Sequence, residues 1–261
     1  MSRILITGST DGFGLEAARQ LVQLGHQVYL HARSTQRASD AEKACPGAAG
    51  TLIADLSSVD ETKKLAEEAN KIGTFDVVIH NAGLYLGPFR KTPDTGMPAQ
   101  VFVNVLAPYI LTCLMHKPKR LIYISSILHK QGNPDLKDMF WFERGEEKWN
   151  DFQSYCDTKV QVNLVANAIA RRWKGTNVLT VHPGWVATKL GGAQAPDRLE
   201  DGVETYVKLA VGNYDQSLTG AEGYFEPRGK LGEQVPACKD VDLQEKAVQA
   251  LEKQTGLKIP A

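Results

Sequence analysis

Apolar residues along the chain follow two rhythms. Short continuous runs, such as Ile4-Leu5-Ile6 and Val77-Val78-Ile79, alternate with longer stretches whose apolar positions share one helical face, such as Ala17, Ala18, Leu21 and Leu24. The first rhythm predicts buried strands and the second amphipathic helices. Their alternation is the signature of a parallel sheet covered by helices on both faces, an α/β doubly wound architecture. Strands are expected at residues 3–7, 27–32, 51–54, 75–79, 121–124 and 178–181, with a further strand-like stretch at 223–225. Helices are expected after the first strand and at about 58–71, 98–115, 154–173, 199–211 and 241–253. The pattern shows no domain boundary, so residues 1–261 are read as one domain.

Two stretches break the rhythm. Residues 84–97 carry Gly87, Pro88, Pro93 and Gly96 and read as an irregular loop beside a substrate cleft. Residues 131–152 form a polar insertion bearing Phe140, Trp141, Phe142 and Trp149, aromatics expected to pack it onto the body. The helix after that insertion has two apolar stripes, one through Val162, Val165, Ala166 and Ile169 and another through Val160, Leu164 and Ala168. A helix apolar on two sides needs two partners, here the sheet and either a neighbouring helix or a second subunit.

Composition narrows the function. Lys+Arg and Asp+Glu are equal at 30 each, without a long block of like charge, so neither nucleic acid nor an acidic membrane is an expected partner. Cys45, Cys113, Cys156 and Cys238 lack C-x-x-C spacing, which argues against a metal site or a disulfide framework. They read as reduced thiols. Met1-Ser2-Arg3 runs straight into the first strand and no apolar run reaches membrane-spanning length, so a cytoplasmic protein is expected.

The candidate chemistry sits where strands end. The first strand leads into Thr7-Gly8-Ser9-Thr10-Asp11-Gly12-Phe13-Gly14 and then a helix. Glycines in such a turn let backbone N–H groups approach a pyrophosphate, and the helix N-terminus favours its charge. The second strand ends at Arg33, 19 residues beyond Gly14. An acidic residue there would take a ribose 2′-hydroxyl, whereas an arginine suits a 2′-phosphate, so NADP(H) is expected over NAD(H). Ser34 and Arg37 stand close enough to assist, while Asp11 puts a negative charge into the turn. Asp55-Leu56 after the third strand offers either an adenine contact or the start of a helix cap. Asn81-Ala82-Gly83 ends the fourth strand, where small residues allow close packing against a flat ligand or simply a tight turn.

Ser125-Ser126 ends the fifth strand, and Tyr155 and Lys159 lie four apart, on one helical face. A neighbouring ammonium favours phenolate and brings a tyrosine nearer to useful proton transfer. Asn104 stands among valines, and Pro183-Gly184 with Val186 and Thr188 follows the sixth strand.

Taken together, the glycine turn at Thr7 to Gly14, Asn81-Ala82-Gly83, the strand-end serines, Tyr155-x-x-x-Lys159 and Pro183-Gly184 resemble the short-chain dehydrogenase/reductase family in its compact single-domain form. The resemblance covers residues 3 to about 225. It implies a Rossmann-type sheet of about seven strands, a nicotinamide dinucleotide and a catalytic set of Asn104, Ser126, Tyr155 and Lys159. Within that set Asn104 would hold a water linking Lys159 to solvent. The implied cofactor contacts are Gly8, Ser9, Asp11, Gly12, Phe13, Gly14, Arg33, Asp55, Leu56, Asn81, Ala82, Gly83, Tyr155, Lys159, Pro183, Gly184, Val186 and Thr188. The long separation of Ser126 from Tyr155 is similar to the retinol dehydrogenase-like branch. A carbonyl or alcohol substrate follows, reduced or oxidised reversibly, with a homodimer as the expected assembly. The rival readings are a cofactor-binding regulatory protein without turnover and a dehydratase or isomerase on the same fold.

Overall fold

The computed structural model describes residues 1–188 and 191–261. In chain order the described elements are β1 (Arg3–Ile6), α1 (Gly12–Gln23), β2 (Gln27–Ala32), α2 (Thr35–Ala44), β3 (Gly50–Ile53), α3 (Val59–Ile72) and β4 (Val77–His80). They continue with α4 (Ala99–Val101), α5 (Ala107–Leu114), β5 (Arg120–Ile124), α6 (Asp151–Arg172), β6 (Asn177–Val181), α7 (Leu199–Val211), β7 (Tyr224–Glu226), β8 (Lys230–Leu231), α8 (Pro236–Lys239) and α9 (Val241–Thr255). The sheet order is β3-β2-β1-β4-β5-β6-β7-β8. All pairs are parallel except the last, where two-residue β8 runs antiparallel to β7 and adds one strand to the expected seven.

Alternate strand residues serve opposite faces. Ile4, Ile6, Val77 and Ile79 face one core with Leu21 of α1 and Tyr206 of α7, while Leu5 and Val78 face the other with helices α3, α5 and α6. Burial on both faces explains why these strands are continuously apolar. From β1 the chain winds outward to β2 and β3, then crosses back to β4 on β1's other side. That reversal opens a crevice beyond the carboxyl ends of β1 and β4, the place where such sheets receive ligands.

The helix expected over 98–115 is interrupted. Residues Phe102–Leu106 form a π-helical turn between α4 and α5. Pro108 explains it: lying four residues after Asn104, it has no N–H to give the Asn104 carbonyl, so α-helical bonding fails there.

α6 is buried from Ser154 through Ile169. One side meets the sheet. The other is covered by the chain's own C-terminal segment: Asn167 donates to Gln234 Oε1 at 2.7 Å and the Cys238 carbonyl at 2.8 Å, and Arg171 donates to Gln244 at 2.7 Å. Trp173 donates its indole N–H to the Pro260 carbonyl at 2.7 Å. The second partner is therefore intramolecular, and the apolar stripe that raised a homodimer is met within the chain.

The insertion docks on α6 as its aromatics suggested, with Trp141 buried and Phe142 left exposed. Buried Asp157 accepts from Asn133 N at 2.8 Å, from Gln153 at 2.8 Å and from Arg144 at 3.3 Å. The Arg144 guanidinium lies 3.6 Å over the Trp141 ring. At the entry, a Cβ on Gly132 would come within 2.4 Å of the Cys156 carbonyl oxygen. Gly132→Ala is accordingly expected to lower stability by about 1–3 kcal/mol through overpacking against α6. A thermal melt unchanged from the parent would show that the insertion yields instead.

Candidate active site

A cleft of about 930 Å³ runs along the carboxyl ends of the central strands, from the glycine turn to Tyr155. Its floor is fixed by amide and ring contacts. Asn81 Nδ2 donates to the carbonyls of Thr7 at 2.8 Å and Gly8 at 3.0 Å, while its Oδ1 accepts from the Tyr206 hydroxyl at 2.9 Å. Thr7 Oγ1 accepts in turn from the Asn81 and Ala82 N–H groups at 3.0 and 3.1 Å. Gly8 and Gly14 are required by proximity: a Cβ on Gly8 would lie 2.8 Å from Ala82 Cα, and one on Gly14 2.5 Å from Asn81 Nδ2.

His31 completes this support. Gly8 N–H donates to its Nδ1 at 2.9 Å, which leaves the proton on Nε2, 3.0 Å from the Ala54 carbonyl. Burial lowers its pKa to about 4, so the neutral ring persists across the physiological range.

This turn fits a dinucleotide. Asp11 starts α1 without a side-chain cap on the helix N–H groups, so the end of the helix keeps donors for a pyrophosphate. Arg33 lines the cleft. Arg37 reaches back to Thr10 Oγ1 at 2.6 Å and Asp11 at 2.7 Å, which ties the turn to α2. Ser34 caps α2 by accepting from Arg37 N.

Of the residues expected at the site, all but Ser9 and Asn104 line the cleft. Ser9 is a correction: it is buried, donates to the Ile6 carbonyl at 2.9 Å and accepts from His31 N at 2.9 Å, so its hydroxyl braces the strand ends. Asn104 does not line the cleft. Its amide is taken by the Leu84 backbone, at 2.8 and 2.9 Å, and by Thr158 Oγ1 at 3.1 Å, so the side chain clamps the loop. Asn81 lines the cleft while its side-chain amide holds the glycine turn. The loop 84–97 also divides between two tasks. Tyr85 packs edge-on to Tyr155, centroids 4.6 Å apart, whereas Asp94 caps α3 through Val59 N at 2.8 Å and Ser58 Oγ at 3.0 Å.

At the other end, Ser126 caps a single helical turn through Leu128 N at 3.2 Å, and its hydroxyl opposes the rise that burial imposes on the Tyr155 pKa. Lys159 Nζ lies 5.2 Å from the centre of the Tyr155 ring and donates to the Ile124 carbonyl at 2.7 Å. The expectation that the ammonium lowers the phenol's pKa needs correction for the free protein. Burial pushes Tyr155 up, with the Ser126 hydroxyl opposing it, and burial brings Lys159 down to about 8. Desolvation outweighs their mutual effect. Tyr155 is a neutral proton donor here.

Tyr85, Phe152, His182, Trp185 and Tyr206 also line the cleft. No spacing marks them in the sequence.

The Lys159 shift has a cost with a definite pH window. Below about pH 8 the folded protein holds a charge that the unfolded chain, with a lysine pKa near ~10.4, holds more readily. The penalty, on the order of 2–3 kcal/mol, is full below pH 8 and fades as pH rises toward 10.4. Lys159→Met should therefore raise the melting temperature by a few degrees at pH 7 and lose most of that gain by pH 10. Equal or lower melting at both pH values would contradict the assignment.

The comparisons with known proteins agree with this geometry. A family model described as short chain dehydrogenase matches residues 2–136. The short-chain dehydrogenase chyC of Penicillium rubens is 66% identical over all of both chains. Retinol dehydrogenase 14 of Mus musculus is 32% identical over 72% of this chain and 62% of its own length. A metagenomic short-chain oxidoreductase solved in complex with NADP superposes with a TM-score of 0.62 at 26% identity, covering 87% of this chain and 97% of that one. The chain belongs to the short-chain dehydrogenase/reductase family of oxidoreductases.

Proposed function

We propose that the protein is an NADPH-dependent carbonyl reductase, reversible as an alcohol dehydrogenase. One observation carries the reading: a buried serine–tyrosine–lysine group opens into the same cleft as the uncapped glycine turn. Ser126 and Tyr155 converge on one carbonyl oxygen, Ser126 donating a hydrogen bond and Tyr155 delivering the proton. The bound cofactor supplies the hydride. Lys159, between the tyrosine ring and the Ile124 carbonyl, holds the nicotinamide ribose hydroxyls. Val186 and Thr188 contact the carboxamide, and Asp55 with Leu56 borders the adenine. Asn104 acts through its backbone carbonyl, which Pro108 deprives of its α-helical donor, to take the water that refills the proton.

NADPH is favoured over NADH by Arg33 at the end of β2, where no carboxylate stands. The NADP-bound relative supports the same choice. Four unpaired cysteines suit a reducing cytosol, and no described helix is long and apolar enough to cross a membrane.

The test is consumption of NADPH against a panel of aldehydes and ketones. Tyr155→Phe should reduce turnover by at least a hundredfold while NADPH binding, read by fluorescence titration, changes little; undiminished turnover would remove the proton-donor role. Arg33→Asp should weaken NADPH at least tenfold more than NADH. If both cofactors weaken equally, the 2′-phosphate is read elsewhere.

A further inference from the structure

Ser126 is held from a side that the cleft does not reach. Its hydroxyl accepts the Leu128 N–H at 3.2 Å, which occupies one lone pair and leaves the hydroxyl hydrogen free to turn toward a ligand. That geometry lasts only while the turn after Ser126 keeps its shape. The turn is a 3-10 helix of five residues, Ile127–Gln131, too short to hold itself. Its first bond, from His129 N–H to the Ser126 carbonyl at 3.1 Å, is doubled by the His129 ring, whose Nδ1 lies 2.6 Å from the same oxygen.

The protonation of this ring follows from its partners. Val235 N–H stands 3.2 Å from Nε2 and can only donate, so Nε2 accepts and the proton sits on Nδ1, where it is given to the Ser126 carbonyl. Burial lowers the pKa of the ring and keeps it in that neutral form. His129 is fully buried, its ring 5.2 Å from that of Tyr224, and it is not among the residues that line the cleft. Its far partner is itself fixed. Gln234, the neighbour of Val235, accepts from Asn167 of α6 at 2.7 Å and donates to Thr180 of β6 at 3.0 Å. The ring thus spans from a point pinned on α6 and β6 to the backbone of the serine, and a buried network with its donors and acceptors paired is rigid.

We propose that His129 is the positioning residue of Ser126: its Nδ1–H, braced through Nε2 on the segment before α8, fixes the serine backbone and with it the direction of the hydroxyl. The effect on turnover rests on the carbonyl-reductase reading. The C-terminal segment thereby has a direct line to the serine, separate from its packing on the outer face of α6.

Two substitutions separate the ends of the ring. In His129→Asn the amide Nδ2 takes the place of Nδ1 and keeps the donor to Ser126, while Val235 N–H loses its acceptor. In His129→Gln the amide Oε1 takes the place of Nε2 and keeps Val235, while the Ser126 carbonyl loses its side-chain donor. Each forfeits one buried hydrogen bond, so both should melt a few degrees below the parent. With an aldehyde or ketone that the parent reduces, the glutamine variant should lose kcat at least tenfold, with KM and NADPH binding changed less than twofold, and the asparagine variant should stay within threefold of the parent. Added to Ser126→Ala, His129→Gln should cost less than twofold more. Amide exchange followed by NMR reads the same geometry without turnover: the Leu128 N–H, bonded to Ser126 Oγ, should exchange at least tenfold faster in the glutamine variant and at the parent's rate in the asparagine variant. Equal loss of kcat in the two variants, a full additional loss on top of Ser126→Ala, or Leu128 exchange that is alike in both overturns the positioning role and leaves the reductase standing. If the parent consumes no NADPH with any carbonyl while Leu128 exchange separates the two variants, His129 positions Ser126 and the reductase reading falls.

Discussion

Everything at this site depends on holding one helix in the interior. α6 carries both Tyr155 and Lys159, and a helix buried along that much of its length must be met on every side. β5 and β6 meet it below, the π-helical turn and α4 alongside, the insertion at its first turns, and α8 and α9 on its outer face. Removing any one of these would leave polar groups such as Asn167 and Asp157 buried without their partners. The insertion and the C-terminal segment, which contribute little to the sheet, are thus as much part of the active site as the strands. They determine where the phenol stands.

That burial has an electrostatic consequence. Water is kept from Lys159 and Tyr155, so each is biased toward its neutral form, the amine by a lowered pKa and the phenol by a raised one. A neutral phenol next to Ser126 suits protonation of a carbonyl oxygen and opposes the reverse reaction, which requires phenolate. The balance can be restored only by positive charge or hydrogen-bond donors brought in with the ligands. In the proposed reductase the direction of reaction would therefore be coupled to the state of the cofactor instead of being built into the tyrosine.

Much of this was legible in the sequence because the chemistry sits at strand ends, and strand ends are marked by short, unusual runs. Continuous apolar strands gave way to Gly8–Gly14, Asn81–Gly83, Ser125–Ser126 and Pro183–Gly184, each ending an element that the apolar rhythm had already placed. α2 escaped because it buries only Ala38 and Ala41 and is polar elsewhere, so no apolar stripe announces it. His31 and Tyr206 escaped for another reason. Their roles come from tertiary hydrogen bonds to Gly8 and Asn81, partners far off in sequence, and neither position differs in type from an ordinary strand or helix residue. Pro108 was visible but its meaning was not: the π-helical turn it accompanies is a matter of bonding between residues four apart, which a hydrophobic pattern does not record.

The side chains of Asn81 and Asn104 are used in the same way. Each side chain stands near the ligand's expected path, and a motif identifies position without saying which way an amide is spent. In both cases the amide spans two segments that must meet: Asn81 holds the glycine turn to β4, and Asn104 holds the loop after Gly83 to α6 through Thr158. An amide offers donors and an acceptor at once, so it can satisfy backbone groups of both polarities exposed where a strand ends and no ladder continues. Serine or threonine would supply a shorter reach, and a carboxylate would repel the carbonyls of Thr7, Gly8 and Leu84. Asparagine therefore belongs at these junctions for structural reasons, its side chain setting the placement of Gly8 and of the loop that carries Tyr85.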